Sequence, residues 1–340
     1  MAKAIREKLI QYLAKGQFVS GQWLGEQLGV SRAAISNHIS SLIEMGLDVY
    51  SVTGKGYKLA EPLILLDEKT IQTKLNVLEQ SNKVEVHNLI DSTNSYLLRR
   101  LPNQNENLQV CIAEYQDAGR GRRGRKWVSP FGSHIYMSMY WYLEQGMAAA
   151  MGLSVVSALA VSDAIKELYK INVQLKWPND IYFNGVKLAG ILIDLEGQAL
   201  EPCHCVIGIG LNINMPEQSA EQVDQPWTDL QAAMNQSSAD DNDNDNEKVT
   251  GTIDRNELAA TLITKLSQRL QQHQSEGLVT MVNEWVKQDY YLDKPVRLIT
   301  GAREKKGVCR GINSQGALLL EIDGETSPIY GGEVSLRGLQ

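Results

Sequence analysis

Gly119-Arg120-Gly121-Arg122-Arg123-Gly124-Arg125-Lys126-Trp127 is the stretch on which the fold turns, because its first six residues spell GxGxxG. A dinucleotide-binding loop of that spelling closes a strand and opens a helix, so that the pyrophosphate rests on the helix N-terminus. Here Trp127-Val128-Ser129-Pro130 follow, and then the strand-like run Ile135–Tyr142. No helix opens after the last glycine, which excludes a Rossmann reading, and no GxxxxGK loop ending in Ser or Thr occurs either. What remains is a loop with three glycines and five positive charges in residues 119–126. Glycine lets backbone N–H groups close on an anion, and arginine forks grip phosphate or carboxylate bidentately. Empty, such a loop repels itself. A nucleic-acid patch is the alternative reading, but a place between two core strands favours a small anionic ligand.

Outward from the loop, the pattern alternates strands and helices. Residues 67–79 read as a helix, Val84–Leu89 as a strand, Asn94–Leu101 as a helix and Val110–Tyr115 as a strand. A long helix is expected over Ala148–Tyr169 and a strand over Val173–Lys176. Asn184-Gly185, between Ile181-Tyr182-Phe183 and Val186-Lys187-Leu188, is a strong hairpin signal. Strands over Ile191–Leu195 and Val206–Ile213 and helices near Arg255–Gln272 and Val279–Gln288 complete the region. Neighbouring strands with helices grouped apart give an α+β fold with a mixed sheet. Residues 240–247 hold five acids and no base, and lack the glycine of a calcium loop, so a mobile surface loop is expected. After Pro295, short strands separated by turns at Gly301, Asn313–Gly316 and Asp323-Gly324 read as a small β-barrel.

The front of the chain has a different pattern. Ile5, Leu9, Ile10 and Leu13 sit at helical spacing, Ser20 can cap a second helix, and Ser31 can cap a third bearing Ile35, Ile39 and Leu42. Val49–Val52 and Tyr57–Leu59 flank the turn Thr53-Gly54-Lys55-Gly56. Helix, tight turn, helix and hairpin is the layout of a winged helix-turn-helix. Residues 1–60 carry seven basic and four acidic side chains, a balance of +3, against −10 for residues 61–340. A DNA-reading third helix would present Ser31, Arg32, Ser36, Asn37 and His38, with Lys55 of the wing on a phosphate. A protein-binding three-helix module is the alternative.

Composition bounds the rest. With 340 residues, 43% hydrophobic and 21% charged, the chain has room for two or three domains and an ordinary core, which excludes a disordered, collagen-like or coiled-coil protein. No run approaches the ~18 apolar residues of a membrane span. The start of the chain lacks the apolar segment of a signal peptide. A cytoplasmic protein is expected. Four cysteines make no disulfide framework, and Cys203-His204-Cys205 lacks a second pair at zinc spacing, so buried strand positions are expected there.

Further stretches point to a ligand. Asp91-Ser92-Thr93-Asn94 joins a strand to a helix N-terminus, Lys176-Trp177-Pro178-Asn179-Asp180 ends a strand, and Lys187-Leu188-Ala189-Gly190-Ile191-Leu192 follows the hairpin turn. Gly208-Ile209-Gly210-Leu211-Asn212-Ile213-Asn214 is a strand whose glycines let a ligand lie against backbone. Taken in order with Glu114–Trp127, these stretches resemble the successive motifs of biotin–protein ligases, and with the front module the bifunctional bacterial form that also represses biotin synthesis genes. The resemblance runs from about residue 5 to 338, departing in the acidic insertion and at Ile209, where the family often has a smaller residue.

The resemblance implies three domains: a winged helix-turn-helix over 1–62, a ligase domain over 63–291 similar to class II synthetase and lipoate ligase catalytic folds, and an SH3-like barrel over 292–340. It implies that biotin and ATP with Mg2+ form biotinyl-5′-AMP, and that biotin then passes to a lysine of the biotin carboxyl carrier protein of acetyl-CoA carboxylase. On that pattern Ser92, Thr93, Asn94 and Gln116 bind biotin with Gly119, Arg120, Gly121 and Arg122. Trp127 covers the adenine side, or is mere core; Gly190, Gly208 and Asn212 line the site, and Arg337 reaches the nucleotide. Lys187 stabilises the reacting phosphate with Arg122, unless it is an ordinary solvated hairpin lysine. Asn179 and Asp180 hold metal-bound phosphates or orient the incoming amine. Biotinyl-5′-AMP would also be the corepressor, promoting a homodimer on operator DNA. Two alternatives stay open: a ligase whose front module binds no operator, and a lipoate-type ligase or transferase.

Overall fold

The structure, a computed structural model, describes residues 2–144, 146, 150, 152–197, 201–240, 251–331 and 334–339. It begins with helices α1 (Ala2–Leu13), α2 (Gly21–Leu28) and α3 (Arg32–Glu44). The Ser20 hydroxyl accepts from Trp23 N at 3.5 Å and that of Ser31 from Ala34 N at 3.2 Å, so both expected caps form. Between them Gly29 adopts a left-handed φ of 67°, which a Cβ would oppose, and this turns α3 away from α2. Ile35, Ile39 and Leu42 of α3 bury against Leu9, Ile10, Leu13 and Leu24. The wing is β1 (Val49–Val52) paired with β2 (Gly56–Leu59), in register Val49 with Leu59.

The central unit contains α4 (Glu68–Val77), β3 (Val84–His87), α5 (Thr93–Leu98), β4 (Val110–Ala113), β5 (His134–Leu143), α6 (Leu153–Tyr169), β6 (Gln174–Lys176), β7 (Asp180–Phe183), β8 (Val186–Glu196), β9 (Cys203–Asn212), α7 (Glu217–Ala220), α8 (Leu230–Asp240), α9 (Arg255–Glu276) and α10 (Val282–Gln288). Seven strands form one sheet in the order β3-β4-β5-β9-β8-β7-β6. Only β3 and β4 run parallel, so the sheet is mixed as expected. Strand alternation divides β9 between two faces. Cys203, Cys205, Ile207, Ile209 and Leu211 belong to the main core with α6 and α9, while Val206, Gly208 and Gly210 face the other way, toward α5 and the arginine loop. The buried positions expected of Cys203 and Cys205 are thus core positions.

Several boundaries differ from the sequence reading, two of them by most. The strands read separately before and after Ala189-Gly190 are one, β8, because Ala189 and Gly190 continue the ladder against Leu211 and Gly210. The long helix expected from Ala148 begins at Leu153; residues 147–149 and 151 lie outside the described residues, as does most of the acidic stretch, 241–247.

The C-terminal unit is a five-stranded antiparallel sheet of β10 (Pro295–Thr300), β11 (Arg303–Ile312), β12 (Leu318–Ile322), β13 (Glu325–Ile329) and β14 (Val334–Gly338), ordered β13-β12-β11-β10-β14. Trp177 Nε1 donates to Gly316 O at 3.0 Å, tying this unit to the central sheet, and just before it Tyr290 N donates to Leu175 O at 2.8 Å.

The segment between the front module and α4 is held along its length. Leu63 N donates to Ala14 O, Arg255 to Ile64 O, Asn256 Nδ2 to Leu65 O, and Asp67 N to Asn256 Oδ1. Leu66 N donates to Glu114, which forms a two-pronged ion pair with Arg255; the two side chains are 0% and 7% exposed. Phe131 N donates to Met45 O at 2.8 Å, fastening the end of α3 to the segment that follows the arginine loop. No helix among the described residues is long and apolar enough to cross a membrane.

Candidate functional site

A cleft opens on the α5 face of the sheet and reaches β14 of the C-terminal unit. Its floor is glycine. Gly190 and Gly210 are partners across β8 and β9, and Cβ atoms there would lie 3.0 and 2.5 Å from the Trp127 ring. A Cβ on Gly208 would lie 2.2 Å from Asn94 Oδ1. The three glycines are therefore what allow Trp127 and Asn94 to rest on the sheet. The indole Nε1 of Trp127 is buried with no hydrogen-bond partner, an arrangement that costs about 1–3 kcal/mol.

One end of the cleft is lined by uncharged polar side chains, with the Arg120–Asp194 pair at its edge. Ser92 caps α5, accepting from Ser95 N at 3.4 Å. Gln116 Oε1 accepts from Thr93 N at 2.9 Å, and Gln116 Nε2 donates to Ser129 Oγ at 3.2 Å. Ser138 Oγ lies 2.7 Å from Thr93 Oγ1 and also bonds Asn94 Oδ1. Each of these residues is nearly buried, so their remaining donors and acceptors are preset for a polar ring rather than for water.

The other end is charged. Lys187 Nζ lies 2.7 Å from Asp180 Oδ1 and 5.4 Å from the centre of the Trp127 ring. Lys176, 3% exposed, sits 3.9 Å from the same carboxylate and donates to Tyr182 OH at 2.7 Å. Burial drives the Lys176 ammonium down to about 8, with Asp180 opposing the shift. Arg122 Nη1 donates to Asn179 Oδ1 at 2.8 Å, and burial likewise lowers its guanidinium below the ordinary value. Asn179 Nδ2 is in turn held by Ile191 O. Cations gathered at one end and ring-sized polar groups at the other suit a ligand with an anionic tail and a neutral polar head.

Of the residues read from sequence, Ser92, Thr93, Asn94, Gln116, Arg120, Gly121, Arg122, Trp127, Asn179, Asp180, Lys187, Gly190, Gly208 and Arg337 all line this one cleft, as does Ile209. Gly119 and Asn212 do not. A Cβ on Gly119 would lie 2.6 Å from Trp127 O, so this glycine packs the base of the loop, and Asn212 Nδ2 donates to Thr228 O beside a smaller neighbouring cavity. Lys176 was read only as the start of its motif, without a role, and Asp194, Ser138, Asp224 and Gln225 were not singled out from the sequence. Asp194 accepts from Arg120 at 2.6 Å and from Asn94 at 2.8 Å. Only an inward-facing acid in the apolar run Ile191–Leu195 could have flagged it. On the front module Arg32, Ser36 and Asn37 are exposed on α3, His38 is half-buried, and the Ser31 side chain is committed to its cap. Lys55 Nζ stands 5.8 Å from the centre of the Phe18 ring.

Three stretches of the chain match known protein families. Residues 5–58 match the HTH domain family, 86–212 the Biotin/lipoate A/B protein ligase family, and 291–337 the Biotin protein ligase C terminal domain. The chain is 47% identical over 332 residues to Bifunctional ligase/repressor BirA of Salmonella typhimurium, covering 98% of this chain and 97% of that one. It is 46% identical over 334 residues to the protein of the same name from Escherichia coli, covering 98% and 97%. Among solved structures, biotin protein ligase from Aquifex aeolicus in complex with biotin and ATP superposes with a TM-score of 0.60 at 25% identity, covering 76% of this chain and 99% of that one.

Proposed function

The chain belongs to the family of bifunctional ligase/repressors, and from that premise we propose how its residues divide the work. It is a biotin–protein ligase using ATP, with a DNA-binding repressor module at its front and a carboxyl carrier protein as acceptor. The observation that carries the assignment of roles is one cleft that joins the ring-sized polar pocket to the arginine loop, Lys187 and Arg337. A biotin carboxylate oxygen attacks the α-phosphorus of MgATP, and pyrophosphate leaves. A carrier lysine amine then attacks the acyl carbon of the mixed anhydride, releasing AMP. Both steps need alignment and charge neutralisation rather than an enzyme nucleophile.

Ser92, Thr93, Asn94 and Gln116 would hold the biotin ring. Lys187, fixed by Asp180, would meet the negative charge of the five-coordinate phosphorus, and Arg122 would grip the carboxylate or phosphate. Trp127 would cover the adenine, and Arg337 would reach the nucleotide from β14. Asp180 and Asp224, both at the cleft, would hold the Mg2+ that accompanies the nucleotide, an ion that commonly takes one or two carboxylates plus phosphate oxygens and would offset phosphate charge there.

The finer architecture follows the same premise: units at 1–62, 63–291 and 292–340, a catalytic unit akin to class II synthetases and lipoate ligases, an SH3-like barrel at the end, and a cytoplasmic setting. Leu192–Glu196 of β8 have no strand partner on the β7 side among the described residues, an edge that supports pairing with a second copy once biotinyl-5′-AMP, the corepressor, orders the neighbouring loop. Operator contact would fall to Arg32, Ser36, Asn37, His38 and Lys55.

Incubation with ATP and biotin, read by mass spectrometry, should yield biotinyl-5′-AMP, and biotinylated carrier once that is added. A chain that yields no adenylate would sink this reading.

A further inference from the structure

Asp194 stands on β8 where the ring pocket and the arginine loop meet. One of its oxygens, Oδ2, accepts from both Asn94 Nδ2 at 2.8 Å and Arg120 Nη2 at 2.6 Å. A carboxylate only accepts, so Asn94 must turn its NH2 group toward Asp194, where Leu192 O also receives it at 3.4 Å. That choice sends Asn94 Oδ1 the other way, over Gly208 and beside Ser138, as an acceptor on the pocket floor. The Asp194 side chain is 22% exposed and that of Arg120 41%, so the pair keeps partial contact with solvent and the loop arginine remains free to move when the tether is lost. We propose that Asp194 is a positioning residue which, by orienting the Asn94 amide and tethering Arg120, couples recognition of the biotin ring to closure of the arginine loop.

The inference rests on reading the cleft as a biotin site, and it adds a chemical reason for ring selectivity. A ureido group offers N–H donors, which an acceptor at Asn94 Oδ1 receives and an NH2 at the same point would repel. Because the same carboxylate oxygen holds Arg120, a ring that disturbs Asn94 also loosens the loop that must close on the carboxylate. Asp194 touches neither the reacting carboxylate nor the phosphate in this arrangement, so its loss should weaken binding and spare the chemical step.

Full-length Asp194→Ala and Asp194→Asn are to be assayed by biotin-dependent ATP–pyrophosphate exchange across a range of biotin concentrations. The expected result is a biotin KM raised about tenfold or more, the scale of a lost hydrogen bond to a charged group, with kcat changed less than about threefold. Asp194→Glu should recover part of the affinity. An unchanged KM, or a loss confined to kcat, overturns the proposal. Should the alanine variant fail to fold, the near-isosteric Asp194→Asn is compared in wild-type and Asn94→Ala backgrounds, with biotin methyl ester as a probe of ring binding alone. Its effect should largely vanish without Asn94, and an undiminished effect again overturns the proposal. Wild-type protein that shows no biotin-dependent exchange removes the ligase reading itself and this inference with it, an outcome distinct from a normal wild type with an indifferent Asp194.

Discussion

Two arginine–carboxylate pairs of this molecule use the same chemistry for opposite ends. At the junction, Arg255 grips Glu114 with both side chains out of water, and the backbone of 64–67 hangs from the pair and from Asn256. In the cleft, Arg120 meets Asp194 in partial contact with solvent, on a loop that carries five positive charges in residues 119–126. A buried pair cannot lose one member without stranding the other, whereas a half-exposed pair exchanges its partner for water or ligand at small cost. The junction is built to stay; the cleft is built to change hands.

The largest test of that contrast is Arg255→Ala. It strands the buried carboxylate of Glu114, an error worth about 3–5 kcal/mol, and chemical denaturation should register a loss of that order. Arg120→Ala, read in the same way, should cost under about 1 kcal/mol. Equal losses would erase the distinction.

Second comes Lys187→Ala, which tests the cleft by its chemistry. Removing a cation aimed at a developing negative charge slows reactions by ~100-fold or more, so single-turnover adenylate formation should fall by that factor. The folded state should lose far less than with Arg255→Ala. An unaltered rate would take Lys187 out of the chemical step.

The contrast also marks what a linear reading can reach. The front module is legible because its determinants are local: Ser20 and Ser31 cap helices within three residues, and Gly29 turns the chain where it stands. The loop was legible because glycine and arginine crowd into one stretch, and the order of the ligase motifs supplied most of the cleft. Arg255–Glu114 spans 141 residues and Arg120–Asp194 spans 74, and nothing in either neighbourhood names the partner. Gly119 and Asn212 fall outside the cleft lining, since a glycine or amide inside a motif serves packing as readily as ligand. Gly119 seats the loop base, and Asn212 secures Thr228.

Acid probes the junction from a third direction. His134 is fully buried at the start of β5, accepts Ile213 N at Nδ1, and leaves Nε2 without a partner. Burial pushes its imidazole down to about 3, with Arg255 adding to the shift. The unfolded chain, with an ordinary value near 6.5, therefore binds this proton first as pH falls. Stability is undiminished above about pH 6.5, erodes on acidification, and is fully debited below about pH 3. The loss should reach about 2 kcal/mol by pH 5. Urea titrations at pH 7 and pH 5 should show it, and a His134→Gln variant should lose much of that pH dependence. A wild type equally stable at both values would contradict the assignment.

The smallest expected effect concerns the loop itself, and it separates the two regions most directly. Gly119 O receives Trp127 N, and Gly121 N donates to Arg125 O, so the loop is closed at its base and pinched across its middle. Beyond that pinch, Arg123 and Gly124 both take left-handed φ values, 61° and 71°, which an arginine adopts only at some cost. Five cations repel one another there, and the unpartnered Trp127 Nε1 adds a further reason to rearrange. An anion removes the repulsion, so the bound loop should be the better ordered one. Amide exchange across residues 120–126 should slow by about tenfold, or 1.4 kcal/mol, when biotin and ATP are added. The amides of Leu66, Asp67 and Phe131, anchored to Glu114, Asn256 and Met45, should exchange slowly in both states. Protection that rises equally at both places would mean that the whole molecule tightens around its ligand. Protection unchanged at the loop would mean that its charges are already balanced in the free protein, and the half-exposed pair would then be as fixed as the buried one.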